Sequence, residues 1–259
     1  MHALTLAGRR FFAVAAVGSG VMQLVNASFV RLVPALPTWI PWHSGLAMLT
    51  GGVLVLIGFA ILLDRKRRPA ALVLGATLVL VFLLLALPVA LSNPLAGFMW
   101  TNPAKTLALA GGAFLIASAS GMRGSPASSS KRSLLIATAL LAVFLIICGV
   151  QHFFYAGFVD TLVPAWIPPG SRFWTYFTGV ALIAGGVGLL LRGTVRAAAL
   201  LSAAMVFLWV LLLHIPRALS EANQASELAG VFEALAISGV ALLIAGSSPR
   251  GSATAGPSV

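Results

Sequence analysis

AALVLGATLVLVFLLLALPVAL, residues 70–91, contains no charged side chain. A helix needs about 20 apolar residues to cross the hydrocarbon core of a membrane. A strand of a membrane barrel would instead alternate apolar and polar residues over about 10 positions. Because this run is continuously apolar and long enough to span, it predicts a membrane-spanning helix.

Similar apolar runs recur along the whole chain. They predict eight transmembrane helices, at residues 11–33, 44–63, 70–91, 105–120, 134–158, 174–191, 197–219 and 230–245. The composition agrees, since 60% of the 259 residues are hydrophobic and only 8% are charged, whereas a soluble domain has about 25% charged residues. So few charges cannot cover a water-soluble surface. The sequence therefore predicts an all-α integral membrane protein.

The distribution of basic residues predicts the orientation of the bundle. Twelve of the 16 Lys and Arg residues lie on one side of the predicted helices, and the other four are Arg31, Lys105, Arg172 and Arg217. Cytoplasmic loops carry the excess of basic residues, so both termini are predicted to face the cytoplasm. The net charge of +11 does not indicate nucleic-acid binding, because the basic clusters alternate with apolar runs and contain no stacking aromatic residues.

A pattern of prolines, tryptophans and glycines returns in the second half of the chain. The matched segments are Leu32-Val33-Pro34 with Leu162-Val163-Pro164, Trp39-Ile40-Pro41 with Trp166-Ile167-Pro168, Thr50-Gly51 with Thr178-Gly179, and Pro88 with Pro216. The last two pairs are separated by the same interval. Such internal repetition indicates a duplicated structural unit. Because each unit holds four predicted helices, an even number, both copies are predicted to have the same orientation in the membrane.

The repeat divides the chain into four parts. We predict a first four-helix repeat at residues 1–121, a cytoplasmic linker at 122–133, a second four-helix repeat at 134–246, and a disordered tail at 247–259. The linker and the tail are rich in Ser and Gly, which is typical of flexible segments.

These motifs resemble those of the DoxX-like family of four-helix membrane proteins. The resemblance rests on the outer loop with its Val-Pro and Trp-Ile-Pro motifs, the Gly-rich second helix, the third helix with its proline, and the run from Lys105 to Gly112. It covers both halves, so the chain looks like a tandem pair of such units. The resemblance implies a protein of the bacterial inner membrane with a link to quinone or redox chemistry. It brings no catalytic motif, so the question of enzyme or non-enzyme stays open.

The two halves differ at positions where the second half has gained polar residues. Ala86 corresponds to His214, Val89 to Arg217, Asn93 to Glu221, Lys105 to Glu233, and Met22-Gln23 to Gln151-His152. The predicted topology puts these positions toward the outer face. Ionisable groups within a membrane segment cost about 2.5–3.5 kcal/mol each on insertion scales, so they commonly mark a functional site.

The candidate binding site is a polar pocket that opens outward in the second repeat. Its predicted residues are His152, His214, Arg217, Glu221 and Glu233. A histidine there would hydrogen-bond a carbonyl or relay a proton, and Arg217 would hold an anion or pair with Glu221. If the repeat axis brings the two side chains close, Glu233 would form an ion pair with Lys105; otherwise each would extend outward to water. The alternative for His214, Arg217 and Glu221 is that they lie at headgroup depth and contact water.

Three functions are compatible with these residues. The first is binding of a quinone or another amphipathic small molecule or lipid at the outer leaflet. The second is a non-enzymatic assembly factor or receptor that holds another membrane protein, and the third is a small-molecule transporter. Two histidines without a fixed motif are weak evidence for haem or metal, so we predict no metal site. The single Cys148 excludes an intrachain disulfide and CxxC redox chemistry.

Overall fold

The computed structural model describes residues 2–29, 41–119, 127–220 and 224–249, which form long helices and contain no strand. The helices are α1 (His2–Asn26), α2 (His43–Leu62), α3 (Arg67–Ser92), α4 (Thr101–Ser118), α5 (Ala127–Phe154), α6 (Ser171–Leu190), α7 (Val195–Ser220) and α8 (Gln224–Ser247). A 3-10 turn, Gly97–Trp100, precedes α4, and a short helix, Ala156–Asp160, follows α5. The prediction of an all-α protein is confirmed.

Six helices in the described ranges are long and apolar enough to cross a membrane, namely α2, α3, α5, α6, α7 and α8. In the first five of these only 28–33% of the spanning residues are buried, whereas in α8 67% are buried. Apolar side chains that face outward suit a lipid environment. The fold is therefore compatible with a multi-pass membrane protein in which α8 lies near the centre of the bundle. α1, which contains Arg9 and Arg10, and α4, which begins with polar residues, are outside this group of six.

Several helices extend beyond the apolar runs that predict them. α1 begins at His2, and α5 begins at Ala127, so residues 127–133 of the predicted linker are helical. At the other end of the chain, Ser248 is buried and its Oγ donates to the Ile244 carbonyl at 2.8 Å, so order continues into the predicted tail. Hydropathy marks where a chain can face lipid, but backbone hydrogen bonding continues a helix past that boundary. Residues 122–126 and 250–259 lie outside the described residues.

One π-helical turn interrupts each of α3 and α7, at Phe82–Ala86 and Val210–His214. Each turn is followed closely by a proline, Pro88 in α3 and Pro216 in α7. Proline has no N–H to donate to the carbonyl four residues earlier, so the regular hydrogen-bond ladder is broken there. A wider π-helical turn is one way in which a helix absorbs such a break. It also shifts the helix faces, so residues before and after the turn meet different neighbours.

Close helix crossings hold the bundle together. α1 packs against α2 and α8, and α5 packs against α6 and α4. A Cβ at Gly51 would lie 2.8 Å from the Gly20 carbonyl oxygen, and a Cβ at Gly149 would lie 2.8 Å from that of Gly179. Only glycine permits the backbones of α1 and α2, and of α5 and α6, to approach this closely.

The two ends of the bundle have different side chains. The tryptophan end, which we define by Trp42, Trp100, Trp166 and Trp174, is where α1, α3, α5 and α7 finish and α2, α4, α6 and α8 begin. At the basic end, which we define by Arg9, Asp64 and Arg67, Asp64 Oδ1 lies 3.0 Å from Arg9 Nη1 and 2.6 Å from Arg67 Nη1. The predicted outer loop at Trp39-Ile40-Pro41 lies largely outside the described residues.

Candidate functional site at the tryptophan end

The ring orientation of His152, near the end of α5, is set by a hydrogen bond to the helix backbone. Its Nδ1 lies 2.7 Å from the carbonyl oxygen of Cys148, one helical turn earlier. A carbonyl oxygen only accepts hydrogen bonds, so Nδ1 must carry the proton and donate. In the neutral ring, Nε2 is then an acceptor. Within the described part of the chain, Nε2 has no hydrogen-bond partner.

The His152 ring lies where α5, α6 and α7 meet. It stacks on the indole of Trp209 in α7, with ring centroids 6.3 Å apart and planes inclined by 25°. On the α6 side, a Cβ at Gly179 would lie 2.8 Å from the His152 Cβ. His152 is half-buried. The arrangement therefore presents one hydrogen-bonding nitrogen beside a flat aromatic surface.

His214 and Arg217 lie on the part of α7 that contacts α8. His214 ends the π-helical turn, and its ring lies against Gly230, where a Cβ would be 2.8 Å from His214 Nδ1. Any larger residue at 230 would therefore displace the imidazole. Both His214 and Arg217 are half-buried.

Arg217 is engaged by a carboxylate that the sequence prediction missed. Its Nε and Nη2 donate to the two carboxylate oxygens of Glu227, each at 3.2 Å, and its Nη1 donates to the Thr161 carbonyl at 3.3 Å. This two-bond geometry is the strongest way in which arginine pairs with a carboxylate. The predicted partner, Glu221, lies outside the described residues. Glu227 is a residue that comparison of the halves could have found, because its counterpart in the first half is the apolar Met99.

A second ionic group surrounds Asp160, at the end of the short helix after α5. Thr175 Oγ1 donates to Asp160 Oδ1 at 2.7 Å, and Arg172 Nε lies 2.8 Å from Asp160 Oδ2. The Arg172 guanidinium also lies 5.9 Å from the centre of the Tyr176 ring. These contacts fasten the segment before α6 to the start of that helix. No pattern in the sequence predicts them, because the stretch from His152 to Trp166, which contains Asp160, differs in length from the matching stretch from Gln23 to Trp39 in the first half.

Glu233 lies at the boundary between the two halves. Its Oε1 accepts a hydrogen bond from Lys105 Nζ at 2.7 Å, and the two side chains are 16% and 8% exposed. Of the two outcomes expected for these residues, the ion pair is the one present. It joins the beginning of α4 to α8.

The four predicted site residues that the structure describes do not share one set of contacts, and the fifth, Glu221, lies outside the described residues. His152 lies between α5, α6 and α7, His214 and Arg217 face α8, and Glu233 faces α4. A narrow pocket lies elsewhere, in the apolar core beside Phe12, Leu54 and Leu109. Among the described residues, no three His, Cys, Asp or Glu side chains come together as metal ligands would.

The first half has a polar residue at the position equivalent to His152. Gln23 packs beside Gly51 as His152 packs beside Gly179. Gln23 is fully buried at 0% exposure, and its Oε1 lies 3.0 Å from the Thr50 hydroxyl. Its Nε2 has no hydrogen-bond partner in the ranges that the structure covers. At this position, then, the first half encloses an amide and the second half holds a half-buried imidazole.

One protein-family model, described as a domain of unknown function (DUF8561), matches residues 141–245. The matched stretch begins within α5 and ends in the last turn of α8, so it contains His152, His214, Arg217, Glu227 and Glu233. No curated protein and no solved structure is significantly similar to the chain. The similarity thus concerns the half that carries the polar residues.

Proposed function

We propose that the chain is a DoxX-like protein that crosses the bacterial inner membrane eight times, as two four-helix units of the same orientation with both termini in the cytoplasm. Helix spacing supports the repeat, because the interval from the start of α2 to that of α6 equals the interval from the start of α3 to that of α7. The two π-helical turns are separated by the same interval. The positive-inside rule supports the orientation. Labelling of a cysteine placed in the C-terminal tail of a Cys148→Ser variant tests it, since only an outward tail would react with an impermeant reagent.

Packing gives independent support for two equivalent units. The first helix of each half crosses the second through the same glycine pair, Gly20 with Gly51 and Gly149 with Gly179. α1 contacts the last helix of the other half, α8, and α5 likewise contacts α4. A two-fold relation between the halves produces such reciprocal contacts. The family match to residues 141–245 is also consistent with a unit of this size.

The second unit, on this proposal, binds an amphipathic ring-bearing molecule such as a quinone at His152. The observation that carries the proposal is a histidine whose Nδ1 is held by the Cys148 carbonyl and whose Nε2 has no partner among the described residues, beside the flat face of Trp209. The neutral imidazole accepts a hydrogen bond from a quinol hydroxyl, and the protonated imidazole donates one to a quinone carbonyl. Trp209 offers an aromatic surface for the ring of the ligand.

The charges at the tryptophan end favour an uncharged head group. Arg172 is paired with Asp160, Arg217 with Glu227 and Lys105 with Glu233. A phosphate head group would have to compete with these carboxylates for its cation, whereas a quinone ring needs only a hydrogen bond and an apolar surface. Arg217 is therefore proposed to shape the site through Glu227 and Thr161 rather than to hold an anion.

Binding measurements with a short-chain quinone analogue test the proposal. Purified protein in detergent would be titrated by intrinsic tryptophan fluorescence, because Trp209 lies beside the proposed ring. We expect His152→Leu to weaken binding by at least about tenfold, the equivalent of one lost hydrogen bond to a buried group. Gln23→Leu, at the equivalent position of the first half, is the matched control and should bind as wild type does. Equal binding by His152→Leu and wild type would remove His152 from the site and overturn the proposal.

A further inference from the structure

The last helices of the two halves contact each other through equivalent positions. Lys105 in α4 pairs with Glu233 in α8, its own counterpart in the repeat. Two helical turns further on, Gly112 contacts Val240, and this pair is separated by the same interval along the chain. A residue meets its own counterpart only where a local two-fold axis passes between the helices. Lys105 and Gly112 therefore mark that axis on α4, and Glu233 and Val240 mark it on α8.

The charges at the axis are complementary only when a first half pairs with a second half. The Lys105 and Glu233 side chains are 8% and 16% exposed, so neither has free access to solvent. Two first halves paired through this surface would bring two copies of Lys105 together, and two second halves would bring two copies of Glu233 together. Like charges at a buried site repel strongly because little solvent screens them.

The shapes at the axis are complementary in the same way. A Cβ at Gly112 would overlap Val240 Cγ2, so the valine occupies the space that the glycine leaves. Two second halves would place valine against valine where the backbones are too close for both. Two first halves would place glycine against glycine and leave a gap. Overpacking and cavities both destabilise a packed interface.

A third pair of equivalent contacts lies away from the axis. Gln151 Oε1 accepts from the Thr101 hydroxyl at 2.8 Å, and its Nε2 donates to the Gly97 carbonyl at 2.8 Å. On the other side of the axis Met22 packs against Ala229, the counterpart of Thr101. In a pair of second halves, Gln151 would face Ala229 and lose its hydroxyl partner. A half-buried amide that loses a hydrogen-bond partner in this way costs free energy.

We propose that the face formed by α1 and α4 in the first half, and by α5 and α8 in the second, is a pairing surface that accepts only an unlike four-helix unit. The partner of the first half is a unit with a carboxylate at the Glu233 position and a branched apolar residue at the Val240 position. In this chain that partner is the second half. The inference rests on the two-unit repeat of the proposed function, but it does not depend on ligand binding at His152.

The test uses the full chain and cuts it only after folding. A protease site is inserted within residues 120–126, the purified protein is cleaved in detergent, and native mass spectrometry determines which fragments stay together. Wild type should give particles with one copy of each half and no particles of two like halves. In cleaved Lys105→Glu, where two carboxylates face each other, the fraction of separated fragments should rise by at least about tenfold. In the charge-reversed double variant, Lys105→Glu with Glu233→Lys, the fraction of separated fragments should fall most of the way back to the wild-type value.

A second series tests shape without changing charge. Gly112→Ala should increase the fraction of separated fragments, and Val240→Ala in the same chain should reverse part of that increase. If the Lys105→Glu variant does not fold, this series of milder substitutions tests the pairing proposal in its place. The proposal is overturned if like halves pair in cleaved wild type, or if neither double variant holds its halves together better than the corresponding single variant.

Discussion

The first and second halves use equivalent positions at the tryptophan end in different ways. Gln23 and His152 both pack beside a glycine of the next helix, Gly51 or Gly179. Gln23 is fully enclosed and contacts Thr50, whereas His152 is half-buried and stacks on Trp209. The close helix crossing is thus common to both halves, and the imidazole beside an indole is particular to one. The comparison indicates that the fold requires the glycine crossing, whereas the His152–Trp209 pair is a feature that a binding site would add.

A similar contrast exists on the third helix of each half. Ala86 is buried and Val89 is exposed, while their counterparts His214 and Arg217 contact α8 through Gly230 and Glu227. The same proline-linked π-helical turn occurs in both halves. Because the apolar version folds into the same helix, the polar side chains are not needed for the backbone geometry.

The largest effect on stability is expected at the ion pair that joins the halves. Glu233→Leu leaves the Lys105 ammonium buried without its carboxylate, and breaking a buried pair in this way costs about 3–5 kcal/mol. Unfolding in mixed detergent micelles, followed by circular dichroism, measures the change. The double variant Glu233→Leu with Lys105→Leu should recover most of the loss, because no charge stays buried. Equal stability of Glu233→Leu and wild type would show that the pair does not hold the halves together.

An intermediate effect is expected at Arg217, where the second half differs from the first. Glu227→Ala removes both hydrogen bonds from the carboxylate to the guanidinium, and hydrogen bonds to charged groups contribute about 1.5–3 kcal/mol. Asp64→Asn at the basic end is the matched control, because the Asp64 side chain is 56% exposed, and such pairs contribute about 0–1 kcal/mol. If Asp64→Asn destabilises the protein more than Glu227→Ala does, the burial argument fails.

The smallest effect on stability is expected at Gln23, where substitution should stabilise the protein rather than destabilise it. Gln23→Leu removes a buried amide whose Nε2 lacks a partner among the described residues, and an unsatisfied buried group costs about 1–3 kcal/mol. Loss of the contact with Thr50 offsets part of the gain, so a net stabilisation of about 1 kcal/mol is expected. A clear loss of stability in the same unfolding assay would mean that Gln23 has a structural role that the first half needs.

The sequence predicted helices, because hydropathy can be read along the chain. It left the contact between Lys105 and Glu233 as one of two possible outcomes, because matching positions in the two halves do not show how the halves pack. It was not sufficient for the partners of the polar residues. Pairing of Arg217 with Glu221 stays a prediction, because Glu221 lies outside the described residues, whereas the pairing of Arg217 with Glu227 across the turn into α8 was not predicted. Likewise, the stacking of His152 on Trp209 joins residues from different helices. Such pairings depend on how helices are rotated against each other, which periodicity within one helix does not determine.

Photo-crosslinking with a diazirine-bearing quinone analogue tests the central claim most directly. The claim is that the second half alone holds the ligand, where α5, α6 and α7 meet at His152. Peptide mass spectrometry should find the label on residues near His152, Gly179 or Trp209, and unlabelled quinone should compete it away. Labelling that is equal in the two halves, or that centres on Gln23 and Gly51, would contradict the account.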